Sequence, residues 1–259
     1  PGPPPAEVSP ADRQRVVDSI TGEYPIRAIP HRSLDYEVCE YLGIRVAVSQ
    51  QDGHTITQHF YPSERNGSIV GYEVRVTESK KFYALGDRKD IDFFGWDKAK
   101  RAGGKKLFIT EDALSCASVI QEIRNYSRGD TWGDRWPAVV ALPKGSGSAA
   151  KMIERHRKEM ESWSEVILLL DQDAPGKKAE DDIIQMLGRD RVKVCKLPLK
   201  DPNDMVMAGR GKELAITALF RGKIKRYDGV KNVTDYIETA TTPPEFGLSW
   251  PWPSSTAAT

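Results

Sequence analysis

Cysteine is scarce in this chain, and its three copies are never close partners. Cys39, Cys116 and Cys195 form no C-x-x-C pair, which argues for free thiols in a reducing compartment and against a zinc site. His31, His54, His59 and His156 show no metal-ligand spacing, so the sequence gives them no role. Long apolar runs are missing too. The longest, such as Val166 to Leu170, reach only strand length, and no basic-then-apolar stretch opens the chain, so neither a membrane anchor nor secretion is expected. Charge of one sign does not dominate, since the net charge of +1 leaves partners undetermined. The opening P-G-P-P-P lacks a methionine and the end, Trp250-Pro251-Trp252-Pro253, looks unfinished, so a piece of a longer protein is expected.

What is present is enough apolar residue, 39% of 259, to bury a real core, most plausibly in two lobes. The charge that cancels overall is unevenly placed. Tyr72 to Lys106 holds ten Lys or Arg against six acids, whereas Asp171 to Asp190 holds six acids against three bases. A basic stretch beside an acidic one suits an enzyme that grips polyphosphate and holds metal.

Along the chain, a linker with a short helix over Ala11 to Ile20 is expected within residues 1–24. Residues 25–104 read as a smaller basic α+β lobe. In it Ser33 is expected to cap a helix over Leu34 to Leu42 that stops at Gly43. Strands follow over Arg45 to Ser49, Ile56 to Tyr61 and Ser68 to Thr77, the last two joined by a turn at Asn66-Gly67. Lys80 to Gly95, rich in charge and aromatics without clean periodicity, reads as a loop-rich functional surface.

Over residues 105–224 buried strands alternate with amphipathic helices: Leu107 to Thr110, Ala138 to Leu142, Val166 to Leu170 and Val192 to Leu197 as strands, with helices between them and a last one over Glu213 to Arg221. Right-handed crossovers make this a parallel sheet flanked by helices, an α/β fold. Residues 225–259 lose periodicity and read as a linker.

Acids stand where these strands end. Glu111 follows the first, Asp171 and Asp173 follow the third, and Asp201 and Asp204 flank Pro202-Asn203 after the fourth. The carboxyl ends of parallel strands line one crevice, where carboxylates distant in sequence can meet on a divalent metal. Each acid also has a plain structural use. Glu111 suits the first turn of a helix, Asp171 and Asp173 suit a solvated turn, and Asp201 or Asn203 suits a helix N-cap. Lys144 to Gly147, before a helix, could offer backbone N–H groups to phosphate, although no G-x-x-x-x-G-K-S/T loop is present. Upstream, Arg75, Lys80, Lys81, Arg88 and Lys89 lie among Tyr72, Phe82, Tyr83, Phe93 and Phe94, a mixture suited to phosphate contact and base stacking, or simply to core and solvated surface.

The order E, then D-x-D, then D-P-N-D resembles the Toprim domain of DnaG-type primases, topoisomerases and some nucleases. His31-Arg32-Ser33-Leu34 with Cys39 and Gly43, Val74-Arg75, and Ser79-Lys80-Lys81-Phe82 resemble the primase core of bifunctional primase–helicases of short-tailed bacteriophages. Phe246-Gly247-Leu248-Ser249 and the W-P-W-P-S tail resemble the segment leading to their helicase core.

This resemblance implies a Toprim fold with Glu111, Asp171, Asp173, Asp201 and Asp204 as metal ligands, and Glu111, Asp171 and Asp173 as catalytic. It implies that Arg75, Lys80, Lys81, Arg88 and Lys89 bind nucleotide or the RNA–DNA hybrid. It further implies Mg²⁺ or Mn²⁺, ribonucleoside triphosphates as substrates, a single-stranded DNA template, an RNA primer, a helicase domain, a DNA polymerase for hand-off, and a cytoplasmic location. Two departures stand out: Asp112 occupies the place where the family usually has glycine, and Glu73 falls where relatives carry lysine. RNA primer synthesis is the leading expectation; a Toprim nuclease and a non-catalytic DNA-binding module of a helicase are the alternatives.

Overall fold

The computed structural model describes residues 9–128 and 135–225, all within one compact unit that ends at Lys225. The proline-rich start and the expected linker with its W-P-W-P tail lie outside the described residues.

Helix α1 (Pro10–Glu23) begins where Ser9 accepts the backbone N–H of Asp12 and Pro10 takes the first helical position, where no donor is lost. It buries Val17 and Ile20 against Phe60, Tyr72 and Val74. These three lie on an antiparallel sheet of β1 (Arg45–Val48), β2 (Ile56–Arg65), β3 (Ser68–Val76) and β4 (Phe82–Gly86), in that spatial order. Asn66 and Gly67 both take positive φ, 51° and 78°, which matches the hairpin twist and fixes the β2–β3 register.

One expectation is corrected in this lobe. Ser33 does not cap a helix. It takes φ 52° at the end of a 3₁₀ turn over Pro30–Arg32, and α2 (Tyr36–Leu42) starts after Asp35. The reason lies in Leu34, which pairs with Ile29 and is buried with it, so the chain must complete a tight turn before a helix can begin. Lys80 to Gly95 is loop-rich, as expected, yet it also contributes a strand and core residues. Its first half supplies β4, its second half buries Ile91, Phe93 and Phe94, and α3 (Trp96–Ala102) follows. Gly71 and Gly86 face each other across β3 and β4, and a Cβ on Gly71 would lie 2.5 Å from the Leu85 carbonyl oxygen.

The second sheet is parallel, in the order β6 (Val139–Ala141), β5 (Lys106–Thr110), β7 (Glu165–Leu169), β8 (Val192–Val194). Its strands are apolar on both faces because both faces are covered. Leu107, Ile109 and Leu168 pack toward α5 (Ala149–Met160) and α6 (Ala174–Leu187) through Ile153, Ile183 and Ile184. Phe108, Ile167 and Leu169 pack toward α4 (Ala113–Ser127) and, beyond it, α7 (Pro202–Met207) and α8 (Gly211–Phe220). Both edges are protected, one by Phe94 bonding Ala141 and the other by Lys223 bonding Val194. The core on the α4 face continues through Tyr61, Val46 and Leu42 into the antiparallel lobe. No helix among the described residues is long and apolar enough to cross a membrane.

Candidate active site

Helices α4, α6 and α7 all start at the carboxyl edge of the parallel sheet, and each opens on an aspartate. Asp112 accepts the N–H of Ser115, Asp173 that of Gly176 and Asp201 that of Asp204, each at 2.8 Å. A carboxylate satisfies one of the orphan donors at a helix start and lies in the favourable field there. Of these three, capping was foreseen for Asp201 alone; Asp173 was expected in a solvated turn, and Asp112 stood out only as a departure from the family glycine.

Glu111 leaves β5 directly into this crevice, and its Oε2 accepts the backbone N–H of Asp171 at 3.2 Å. The turn after β6 closes over it, with the Cβ direction of Gly145 pointing at Glu111 Oε1 from 3.7 Å. Asp171 is partly covered. Burial pushes its carboxyl up to about 6, the negative charges of Glu111 and Asp201 push the same way, and Lys200 opposes them. Burial raises the Asp112 carboxyl above its ordinary value, the charge of Asp201 adds to the shift, and the bond from the Ser115 N–H opposes it. Gly176 sets this geometry. A Cβ there would lie 2.0 Å from the Asp171 carbonyl oxygen, so only glycine lets α6 start so close to β7.

Of the five carboxylates singled out in the sequence, Glu111 and Asp201 both act on Asp171 across the crevice, as does Asp112. Asp173 is exposed and turned to its cap, and Asp204 is exposed in the first turn of α7. Among the described residues no three His, Cys, Asp or Glu side chains form a ready coordination group. The donor set nonetheless suits a hard divalent cation: oxygen ligands only, mutually repelling, with an acid that holds its proton unusually well.

The antiparallel lobe supplies the opposite wall. Alternation and register place His59, Tyr61, Glu73 and Arg75 on the face of the sheet away from α1. Lys80 and Lys81 stand exposed in the β3–β4 turn, and Lys89 is exposed beyond β4. Arg88 is used as a strut. Its guanidinium donates to Glu73 Oε1 at 2.9 Å and to the Pro143 carbonyl at 2.5 Å, tying the basic lobe to the turn that covers Glu111.

Asn203, which the sequence offered only as a cap, is buried. It donates to the Arg32 carbonyl at 2.9 Å and to Ser118 Oγ at 3.1 Å, while Gln121 donates to the Ser33 carbonyl. The acidic loop and the His31–Arg32 turn are therefore fixed to each other. Sequence reasoning missed this link because no local pattern reports a partner 171 residues away.

Known proteins share this fold. Residues 109–206 match the family described as Toprim-like. A DNA helicase/primase of Enterobacteria phage T3 is 28% identical over 183 residues, which is 71% of this chain. The chain spans only 30% of that relative's length. The primase fragment of the bacteriophage T7 primase-helicase shares the fold with a TM-score of 0.62 at 24% identity, covering 84% of this chain and 82% of the fragment. Primase domains in a complex of the T7 lagging-strand DNA polymerase with an RNA/DNA hybrid and dTTP match at 28% identity and a TM-score of 0.62, covering 76% of this chain and 93% of theirs. Residues 109–206 of this chain thus resemble a Toprim-like domain, and the chain shares the fold of the phage T7 primase fragment.

Proposed function

We propose that this chain is the core of a DNA-dependent RNA primase, joining ribonucleotides into short primers on single-stranded DNA. The observation that carries the reading is the gathering of acids around Asp171 at the carboxyl edge: Glu111 accepts its backbone N–H at 3.2 Å, and the charges of Glu111 and Asp201 both bear on its carboxyl. Glu111, Asp171 and Asp201 would hold a divalent ion of the Mg²⁺ or Mn²⁺ type, with Asp173 and Asp204 within the same two loops. Such an ion, when bound, supplies charge stabilisation for the leaving pyrophosphate.

The chain's own groups do the rest. Lys80, Lys81 and Lys89 attract the triphosphate and the template backbone, and Arg75 orients them. Glu111 accepts the proton of the primer 3′-hydroxyl as its oxygen bonds to the α-phosphorus and the bond to pyrophosphate breaks. Arg88 positions the turn over Glu111 rather than gripping nucleotide itself.

The domain layout follows the same reading: a leading segment to residue 24, a basic lobe over 25–104, a Toprim domain over 105–224, and a linker over 225–259 toward a helicase. The T3 relative is described as a helicase/primase and the T7 primase domains are seen with a polymerase, which supports a helicase and a DNA polymerase as partners. The test is primer synthesis from ribonucleotides on a single-stranded template, with and without Mg²⁺ or Mn²⁺. Metal-dependent primers that vanish in Glu111→Gln support the proposal. Strand cleavage instead of synthesis would identify a nuclease, and DNA binding with neither activity would identify a binding module.

A further inference from the structure

His59 and Arg75 face each other across β2 and β3, Arg75 faces Phe82 across β3 and β4, and Val46 adjoins His59 on β1. Residues paired in this way project from one face of the sheet. This rung points away from α1, whose side chains cover the other face through Phe60, Tyr72 and Val74. His31 extends it. Its ring stacks on His59 with centroids 5.0 Å apart and planes 28° apart. At the far end the Arg75 guanidinium lies 5.3 Å from the centre of the Phe82 ring, and Phe82 is 55% exposed.

The rung is held still from below. His59 Nδ1 is 3.1 Å from the Tyr61 hydroxyl, and His59 Nε2 is 3.1 Å from His31 Nε2. A hydrogen bond between two imidazole nitrogens requires one to donate and the other to accept. Burial and the charges of Arg32 and Arg75 favour such uncharged rings. Neither arginine forms an ion pair with an acid among the described residues, and Arg32 Nε is buried without a partner. Beside His31 a cavity of about 350 Å³ opens between Pro30, His54, Thr55, Ile56 and Thr77.

We propose that the exposed His31 and Phe82 rings at the two ends of this rung, with the half-buried Arg75 between them, stack unpaired bases of single-stranded DNA, that the buried His59 serves as their support, and that the cavity beside His31 receives one base. Flat rings and a guanidinium provide π-faces that accept any base, while Arg32 and Arg75 answer the phosphates between them. The cavity is walled mainly by Pro30, Ile56 and imidazole rings, apolar surface that suits a base rather than a phosphate group. This deepens the primase reading, since it says where the template lies before it reaches the acids.

The test uses the whole chain and a single-stranded oligonucleotide carrying 2-aminopurine, without ribonucleotides or divalent ions. Stacking quenches 2-aminopurine fluorescence, and His31→Ala and Phe82→Ala should each weaken binding roughly 5- to 100-fold. Both side chains are exposed, so unchanged melting curves will show that the variants fold. Tyr83→Ala, on the opposite face of β4, should bind as the parent does. An abasic strand of equal length should bind as weakly as the variants. Equal affinity for the abasic strand, or full affinity in both variants, would overturn the proposal and leave phosphate contact alone. Because the experiment contains no substrate for synthesis, its outcome is independent of whether the chain makes primers.

Discussion

The imidazole of His59 is buried between His31, Tyr61 and two arginines, and its pKa falls to about 3, burial being the largest cause, followed by His31, Arg75 and Arg32. In the unfolded chain it titrates near its ordinary 6.5. Between those values the unfolded state binds a proton that the folded state refuses. The contribution is therefore complete above about pH 6.5 and is lost as pH falls toward 3, by roughly 2 kcal/mol at pH 5. Urea unfolding at pH 7 and pH 5 checks this: His59→Gln should flatten the difference, and an equally steep loss in the variant would refute it. Asp171 is the other residue whose setting is informative. Asp171→Asn keeps the shape but removes a charge repelled by Glu111 and Asp201. Primer synthesis should disappear while the melting temperature holds or rises; a variant that melts lower would mean that the charge supports the fold. In the sequence Asp171 was visible as a strand-end acid, whereas His59 was not visible at all, because its partners come from a 3₁₀ turn and a neighbouring strand.

Among the elements, the parallel sheet was legible because strands buried on both faces are nearly all apolar, as Val166 to Leu170 shows. Strand β4 was hidden because its pairing with β3 depends on Gly71 and Gly86 meeting across the ladder, a contact without a local signature. The start of α2 was misread for a related reason. Ser33 is a good cap by type, but burial of Leu34 delays the helix until after Asp35. The link between β7 and α6 gives a sharper prediction. Gly176→Ala places a methyl group against the Asp171 carbonyl, so α6 must shift and carry Asp173 with it. We expect a loss of at least about 2 kcal/mol together with loss of synthesis. Near-parental urea stability would show that the helix start can yield without strain.

For the molecule as a whole, the ties that hold the basic lobe against the acidic edge include Arg88 to Glu73 and the Pro143 carbonyl, Asn203 to the Arg32 carbonyl, and Gln121 to the Ser33 carbonyl. Arg88→Ala leaves Glu73 and that carbonyl without their partner and should cost about 1–3 kcal/mol. It should also slow synthesis by freeing the turn over Glu111. Parental stability and rate would show that the lobes need no such strut. Chelation is the complementary experiment. EDTA should stop synthesis yet lower the melting temperature by only a few degrees, as expected of an ion that binds a fold already formed.

That last expectation follows from Asp112, Asp173 and Asp201, which begin α4, α6 and α7, and from Glu111, which accepts the backbone N–H of Asp171. Each keeps a backbone N–H as company whether or not anything else arrives, so the charges are anchored by architecture rather than by their cargo. Filling and emptying the crevice can then be a fast, repeatable event in every cycle, with no part of the chain needing to refold between turnovers.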